Sequence, residues 1–203
     1  MFVRTVYATG HPDRIDRTLD GLRTEAVGLL APQPGYLGYG LYADRALGKI
    51  TMSSWWDTAQ AERDSDRELG ERRAELLAPL AGTVATDVWE AVAAAPPGDA
   101  GPGAGFRLVR AEVDPAKVDR LAEVFRERAL PLLEKTDGFV TGAMLVDRAR
   151  GRAVVGTIFA DRASLEASRG PQADARAQAS AAVGATIVSV EEFEVVLLDR
   201  RKR

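Results

Sequence analysis

The sequence predicts an α+β fold: two tandem βαββαβ domains whose sheets close into one pseudo-dimeric α/β barrel. Three observations carry this. The chain repeats itself at a spacing of 103 residues: Pro12 recurs as Pro115, Asp16-Arg17 as Asp119-Arg120, Leu29-Leu30 as Leu132-Leu133, and Asp44-Arg45-Ala46 as Asp147-Arg148-Ala149. One inserted residue later, Trp89-Glu90 faces Phe193-Glu194, so the repeat is a whole domain and not a short solenoid unit. Within each copy the hydrophobic period changes between 2 and 3.6 in the order strand, helix, strand, strand, helix, strand. Finally, Ile50–Trp56 and Val188–Leu198 are apolar on both alternating faces. A sheet with helices on one face and water on the other alternates more cleanly, so the second face is expected to be covered by the other copy.

Each element has a local cause. Residues 2–8 are β-rich. Residues 12–30 place Ile15, Leu19, Leu22, Ala26 and Leu29 on one helical stripe, with Asp13, Arg17, Asp20 and Arg23 opposite. Pro12 fits the first helical turn, where its missing N–H has no partner to lose. Strands are expected at 36–42 and 49–56 around the Asp44–Gly48 turn, a charged amphipathic helix at 58–80 and a last strand at 83–92. The second copy repeats this as 106–113, 115–135, 139–146, 152–159, 161–182 and 186–198. Its second helix is expected to break at Gly170-Pro171. The Pro/Gly-rich run from Ala95 to Gly105 holds neither a helix nor a ladder and divides domain 1–94 from domain 105–203 through a linker at 95–104. Its glycines lack the G-x-G-x-x-G spacing of a phosphate loop. The βαββαβ order is that of the ferredoxin-like unit, an antiparallel sheet with both helices on one face.

Composition excludes several functions. The 203 residues are 46% hydrophobic and carry a net charge of −3, which gives no reason to expect a nucleic acid or an anionic membrane as partner. There is no cysteine, hence no thiol nucleophile, disulfide framework or thiolate metal site. No segment reaches the roughly 18 consecutive apolar residues of a membrane helix, and no signal core is visible. The expectation is a cytoplasmic protein with a frayed tail at Asp199–Arg203.

In this setting the chain resembles the dimeric α/β-barrel superfamily, and within it the antibiotic-biosynthesis-monooxygenase-like domains. The likeness is carried by Pro34-Gly35-Tyr36, by Ser53-Ser54-Trp55-Trp56-Asp57, by the helix start Asp57–Glu62 and by Val84–Val92. In the second copy Asp137-Gly138-Phe139 and Thr157–Asp161 carry it more loosely. The resemblance implies a small aromatic or hydrophobic metabolite bound between helices and sheet. Some relatives oxygenate phenolic polyketides without a cofactor and others degrade haem. Haem degraders of this group use an Asn, a Trp and a second-helix His, and the oxygenases also lean on an Asn. This sequence has no Asn, and its only His is His11, so haem degradation is not expected and the oxygenase pattern is incomplete. No cofactor is expected. The fused pair would do in one chain what two chains do in unfused relatives, as a monomer (a pseudo-dimer) or a homodimer.

The copies differ most in their aromatic residues. All three Trp, all four Tyr and His11 lie in the first copy. Three positions stay aromatic in both copies (Tyr36/Phe139, Trp56/Phe159, Trp89/Phe193) and read as core packing. Four lose aromaticity: Tyr7 faces Arg110, Tyr39 faces Gly142, Tyr42 faces Leu145 and Trp55 faces Ile158. Tyr7, Tyr39, Tyr42 and Trp55 are therefore the candidate substrate-binding residues of a first-copy pocket. The equivalent second-copy space is then expected to be smaller, or lined by aliphatics around Leu145 and Ile158. The alternative is that the four aromatics only fill volume. His11 aligns with Asp114 before the helix-opening proline, which makes it an N-cap or a general base. One His and scattered carboxylates do not supply a metal ligand set. Arg4 and Arg107, at equivalent strand positions, are expected to pair with Glu or Asp across the sheets or to bind a ligand's carboxylate. The functional expectation is a cofactor-independent monooxygenase-like protein acting on a phenolic or quinone-type metabolite. Its competitor is a non-catalytic binding or interaction module of the same fold.

Overall fold

The computed structural model describes residues 1–80 and 82–201. In the first repeat β1 is Phe2–Thr9, α1 Ile15–Leu30, β2 Tyr36–Asp44, β3 Lys49–Trp56, α2 Ala59–Leu77 and β4 Thr83–Ala94. A short 3-10 turn, Pro12–Arg14, leads into α1. The second repeat gives β5 Gly105–Glu112, α3 Val118–Val124, α4 Leu130–Glu134, β6 Phe139–Asp147, β7 Arg152–Phe159, α5 Arg162–Ala167, α6 Arg169–Val183 and β8 Thr186–Arg200. Residues 95–104 contain no helix or strand. No helix among the described residues is long and apolar enough to cross a membrane.

Two details show how closely local chemistry recurs. The turn after β2 is closed by Asp44, whose carboxylate accepts from Leu47 N at 3.1 Å, and its twin by Asp147, accepting from Arg150 N at 3.1 Å. Both turns end on a glycine at φ +61°, Gly48 and Gly151. A Cβ there would lie 2.2 Å from Gly10 O or 2.1 Å from Val113 O, both backbone atoms, so only glycine fits. The second helices are likewise capped alike: Thr58 Oγ1 accepts from Ala61 N at 3.1 Å, and Asp161 Oδ1 from Ser164 N at 2.7 Å.

The second repeat departs from the first in its helices. The 115–135 helix is interrupted by a π-helical segment, Phe125–Ala129, in which Leu130 N donates to Phe125 O, five residues back. Pro131 follows at once. Lacking an N–H and crowding the carbonyl four residues earlier, it does not continue an α ladder, and the preceding turn widens. The second helix does break, but at Ser168, before the predicted Gly170-Pro171. Pro171 sits in the first turn of α6, where no intrahelical donor is lost.

The chain divides into two compact units, Met1–Trp89 with the chain from Val195 on, and Glu90–Glu194. The division thus falls inside the last strand of each repeat. In hydrogen-bonded order the strands run β1-β3-β2-β8-β5-β7-β6-β4, a closed series. The first unit holds β1, β3 and β2 with the start of β4 and the end of β8, and the second holds β5, β7 and β6 with the start of β8 and the end of β4. Register is shared by the repeats. Tyr7 and Tyr42 both pair with Thr51, and a bulge in β2 at Leu37 recurs in β6 at Val140. The first core gathers Ile15, Leu19 and Leu22 of α1 against Val6, Leu41, Ile50 and Trp56. The second gathers Val118, Leu121 and Phe125 against Met144, Val146 and Ala153.

The tail is not frayed as far as it is described. Tyr36 Oη donates to Asp199 Oδ2 at 2.8 Å, Arg200 lies 5.8 Å over the Trp55 ring, and Arg201 N donates to Leu37 O at 3.1 Å. These contacts continue the β2–β8 ladder, which the charged sequence conceals. Lys202 and Arg203 fall outside the described residues.

Candidate functional site: two equivalent helix–sheet cavities

The positions that stay aromatic in both copies are packing residues. Tyr36 and Trp56 meet edge to face at 5.9 Å, and their counterparts Phe139 and Phe159 do the same at 6.2 Å. The four candidate binding residues, in contrast, do not converge. Strand alternation puts Tyr39 on the helix-facing side of the first sheet, with Leu41 and Met52, and Tyr7, Tyr42 and Trp55 on the opposite side. There Trp55 Nε1 donates to Ser53 Oγ at 3.3 Å, and Tyr42 hydrogen-bonds the same serine. Burial raises the Tyr42 pKa, with Ser53 and Arg200 opposing. His11 is an exposed N-cap: its Nδ1 accepts from Asp13 N at 3.3 Å, and it lines neither of the cavities described below.

The polar centre of each unit is a buried arginine. Arg4, 2% exposed, lies 5.6 Å over the Trp56 ring. Its Nε donates to Glu62 Oε1 at 2.8 Å and lies 3.4 Å from Asp66, which also takes Arg73 Nη2 at 2.7 Å. Two cations thus meet two carboxylates, although burial still lowers the Arg4 pKa against the pull of Glu62. Arg107, 1% exposed, lies 5.8 Å over Phe159. It donates to Ser168 Oγ at 2.9 Å, Gln172 Oε1 at 2.6 Å, Leu165 O at 2.7 Å and Glu192 Oε1 at 2.7 Å. Both arginines are therefore ion-paired, but Arg4 finds its carboxylates on α2 and not across the sheets, and Arg107 finds Glu192 on the neighbouring strand β8.

Beside each arginine, between helices and sheet, is a cavity. The one in the first unit is about 50 Å³, and that in the second about 210 Å³. Most positions that line the first cavity also line the second. Val6, Ala26 and Met52 line the first, and Val109, Ala129 and Val155 line the second. The size order is the reverse of the sequence expectation, and neither Leu145 nor Ile158 lines the larger cavity. Substitution at the shared offset explains this. Tyr39 lines the first cavity and its counterpart, Gly142, brings no side chain to the second, while Leu69 and Leu76 of α2 become Gln172 and Ala179 of α6. Phe125, from the π-helical segment, returns only part of the lost volume. The half-exposed Leu132 among the lining residues marks the side open to solvent.

Polar atoms are few here. Tyr39 Oη is buried in the first unit without a hydrogen-bond partner among the described residues, and burial pushes its pKa far up. In the second unit the unpartnered buried atoms on the cavity wall are Gln172 Nε2 and Arg176 Nη1. Sequence reasoning missed both. The signal was present at the repeat offset, where Gln172 and Ala179 replace leucines, but it lies in the alanine-rich helix and not among the aromatics.

The comparisons agree with this architecture. Residues 1–68 match the family model described as antibiotic biosynthesis monooxygenase, so the match lies in the first repeat. Over nearly its whole length the chain has that monooxygenase-like fold. A solved protein from Lactobacillus acidophilus superposes with a TM-score of 0.72 at 11% identity, covering 98% of this chain and 96% of that one. An anthrone oxidase-like protein superposes at 0.71 with 13% identity, covering 97% and 91%. In sequence, the chain is 27% identical over 201 residues to an uncharacterized protein of Mycobacterium tuberculosis strain H37Rv, covering 99% of this chain and 90% of that protein.

Proposed function

We propose that this protein binds a small, largely hydrophobic or aromatic metabolite carrying an oxygen function, in the helix–sheet cavity of its second unit. The observation that carries this is the cavity of about 210 Å³, walled by residues such as Leu121, Phe125, Leu133 and Val155 and furnished with two unpartnered nitrogen donors. A mostly apolar pocket with a few placed polar groups is the usual form of a small-molecule site. The first unit keeps the same position but fills it with Tyr39. A cytoplasmic location goes with this reading. Isothermal titration with 2-naphthoate and 2-naphthamide tests it, since a bicyclic ring needs an apolar slot and not a surface charge. Saturable one-to-one binding that Ala179→Leu abolishes is the expected result, and no binding of either compound refutes the reading.

A second reading adds chemistry. The first-repeat family match and the likeness to an anthrone oxidase-like protein favour cofactor-independent oxygenation of a phenolic or quinone-forming substrate. In such a reaction an anthrone methylene gives up two hydrogens and becomes a carbonyl. One atom of dioxygen enters the product, the other leaves as water, and all electrons come from the substrate. The donors Gln172 and Arg176 would hold the developing enolate oxygen, an electrostatic role. Oxygen-electrode measurements with 1,8-dihydroxyanthrone separate the readings: uptake above autoxidation supports the enzyme, and ligand binding without uptake leaves the binding module.

A further inference from the structure

We propose that the second-unit cavity selects a small organic anion, whose charged oxygens meet Gln172 Nε2 and Arg176 Nη1 while its apolar body lies against Phe125, Leu133 and Val155. The inference rests on the binding site proposed above and adds the charge of its ligand.

Charge compensation around the two equivalent cavities differs. In the first unit Arg4 and Arg73, both on the wall, are met by Glu62 and Asp66. At the shared offset those carboxylates become Leu165 and Arg169, so the second unit loses two negative charges and gains a positive one. Glu192 covers part of the loss, taking Arg107 at 2.7 Å and Arg169 at 2.5 Å. Arg176, the counterpart of Arg73, forms no ion pair with a carboxylate among the described residues, and its Nη1 is buried at the wall without a hydrogen-bond partner. Burial and then the neighbouring Arg107 charge lower its pKa, with Glu192 opposing. A guanidinium stays protonated regardless, so the field at the wall is that of a cation that Glu192 offsets only in part.

Gln172 supports the same ligand. It is 7% exposed, and its Oε1 accepts from Arg107 Nη1 at 2.6 Å. An arginine only donates, so this bond fixes the amide with oxygen toward Arg107 and leaves Nε2 as a donor. Gln172 and Arg176 are four residues apart on α6, hence on one face. Two donors, one of them charged, with no acceptor committed to either, suit a carboxylate or an enolate oxygen and not a cation or an alkane.

The test compares 2-naphthoate with 2-naphthamide, which keep the ring and differ in charge, on the wild-type chain and on Arg176→Gln. Arg176 is a partly exposed helix residue without an ion pair, and the melting temperature of the variant checks that it folds. The expected result is at least tenfold tighter binding of naphthoate than naphthamide, with Arg176→Gln removing that preference by weakening naphthoate more than naphthamide. Equal or tighter binding of naphthamide overturns anion selection while leaving the binding site standing. A naphthoate preference that survives in Arg176→Gln also overturns it. Binding of neither compound, or binding indifferent to Ala179→Leu, removes the site itself.

Discussion

Replacing Ala179 by leucine restores in the second unit the residue that its counterpart, Leu76, supplies in the first. The change adds three methylene-sized groups at a wall of the cavity of about 210 Å³. At about 0.8 kcal/mol for each buried methylene, full burial would contribute about 2.4 kcal/mol. Ala179 is only half-buried, and denatured chains already bury part of their apolar surface, so about 1–2 kcal/mol is expected. Alanine and leucine are both strong helix formers, and the backbone cost in α6 is a few tenths of a kcal/mol at most. For a urea slope of about 2 kcal/mol per molar, the unfolding midpoint rises by roughly 0.5–1 M. The same substitution should abolish naphthoate binding, because the side chain takes the ligand's volume. A variant that is more stable yet binds unchanged would mean that the ligand lies elsewhere. One that is less stable by more than about 1 kcal/mol would mean that the space is not free to be filled, as in overpacked cores.

Other perturbations probe the parts of the fold separately. Tyr39→Phe removes a buried hydroxyl without a partner among the described residues and should raise stability by about 1 kcal/mol in urea titrations, because such a group bears its desolvation cost uncompensated. Arg4→Met strands Glu62, which is 3% exposed, and should lower stability by about 3–5 kcal/mol. Adding Glu62→Leu, the residue found at the second-repeat position, should recover most of that loss. Gly48→Ala and Gly151→Ala should each lose more than about 1 kcal/mol, being strained at φ +61° and pressed against backbone oxygen. Burial alone would raise the Glu192 pKa, but hydrogen bonds from Arg169 and Arg107 outweigh it and hold the carboxyl below its usual range. Its stabilisation is therefore present above the unfolded carboxylate pKa of about 4.3 and is lost as pH falls through the lower folded value. Glu192→Gln should flatten that acid limb of the melting temperature against pH.

The fold was legible because its causes are local and occur twice: the capped helices, the Asp-to-Gly turns and the strand runs each announce themselves in both copies. What escaped was set by partners far along the chain. The exchange of strand halves between the units is written in no single segment, since Val84–Val92 reads as an ordinary last strand. The acidic and basic tail was misjudged because Asp199 and Arg201 are ordered by Tyr36 and Leu37, more than 160 residues away. The second-unit cavity escapes a sequence reading for a related reason. Aromatic residues draw the eye toward a pocket, yet a large ring placed on the helix-facing side of a sheet consumes the space that a ligand would need. Tyr39 does this in the first unit together with Leu69 and Leu76, whereas Gln172 and Ala179 leave more room in the second. In a duplicated fold the informative comparison is therefore of lost volume and lost countercharge. By that measure Leu76→Ala179 makes room, and Glu62→Leu165 with Asp66→Arg169 leaves a cation at the wall of the room that was made.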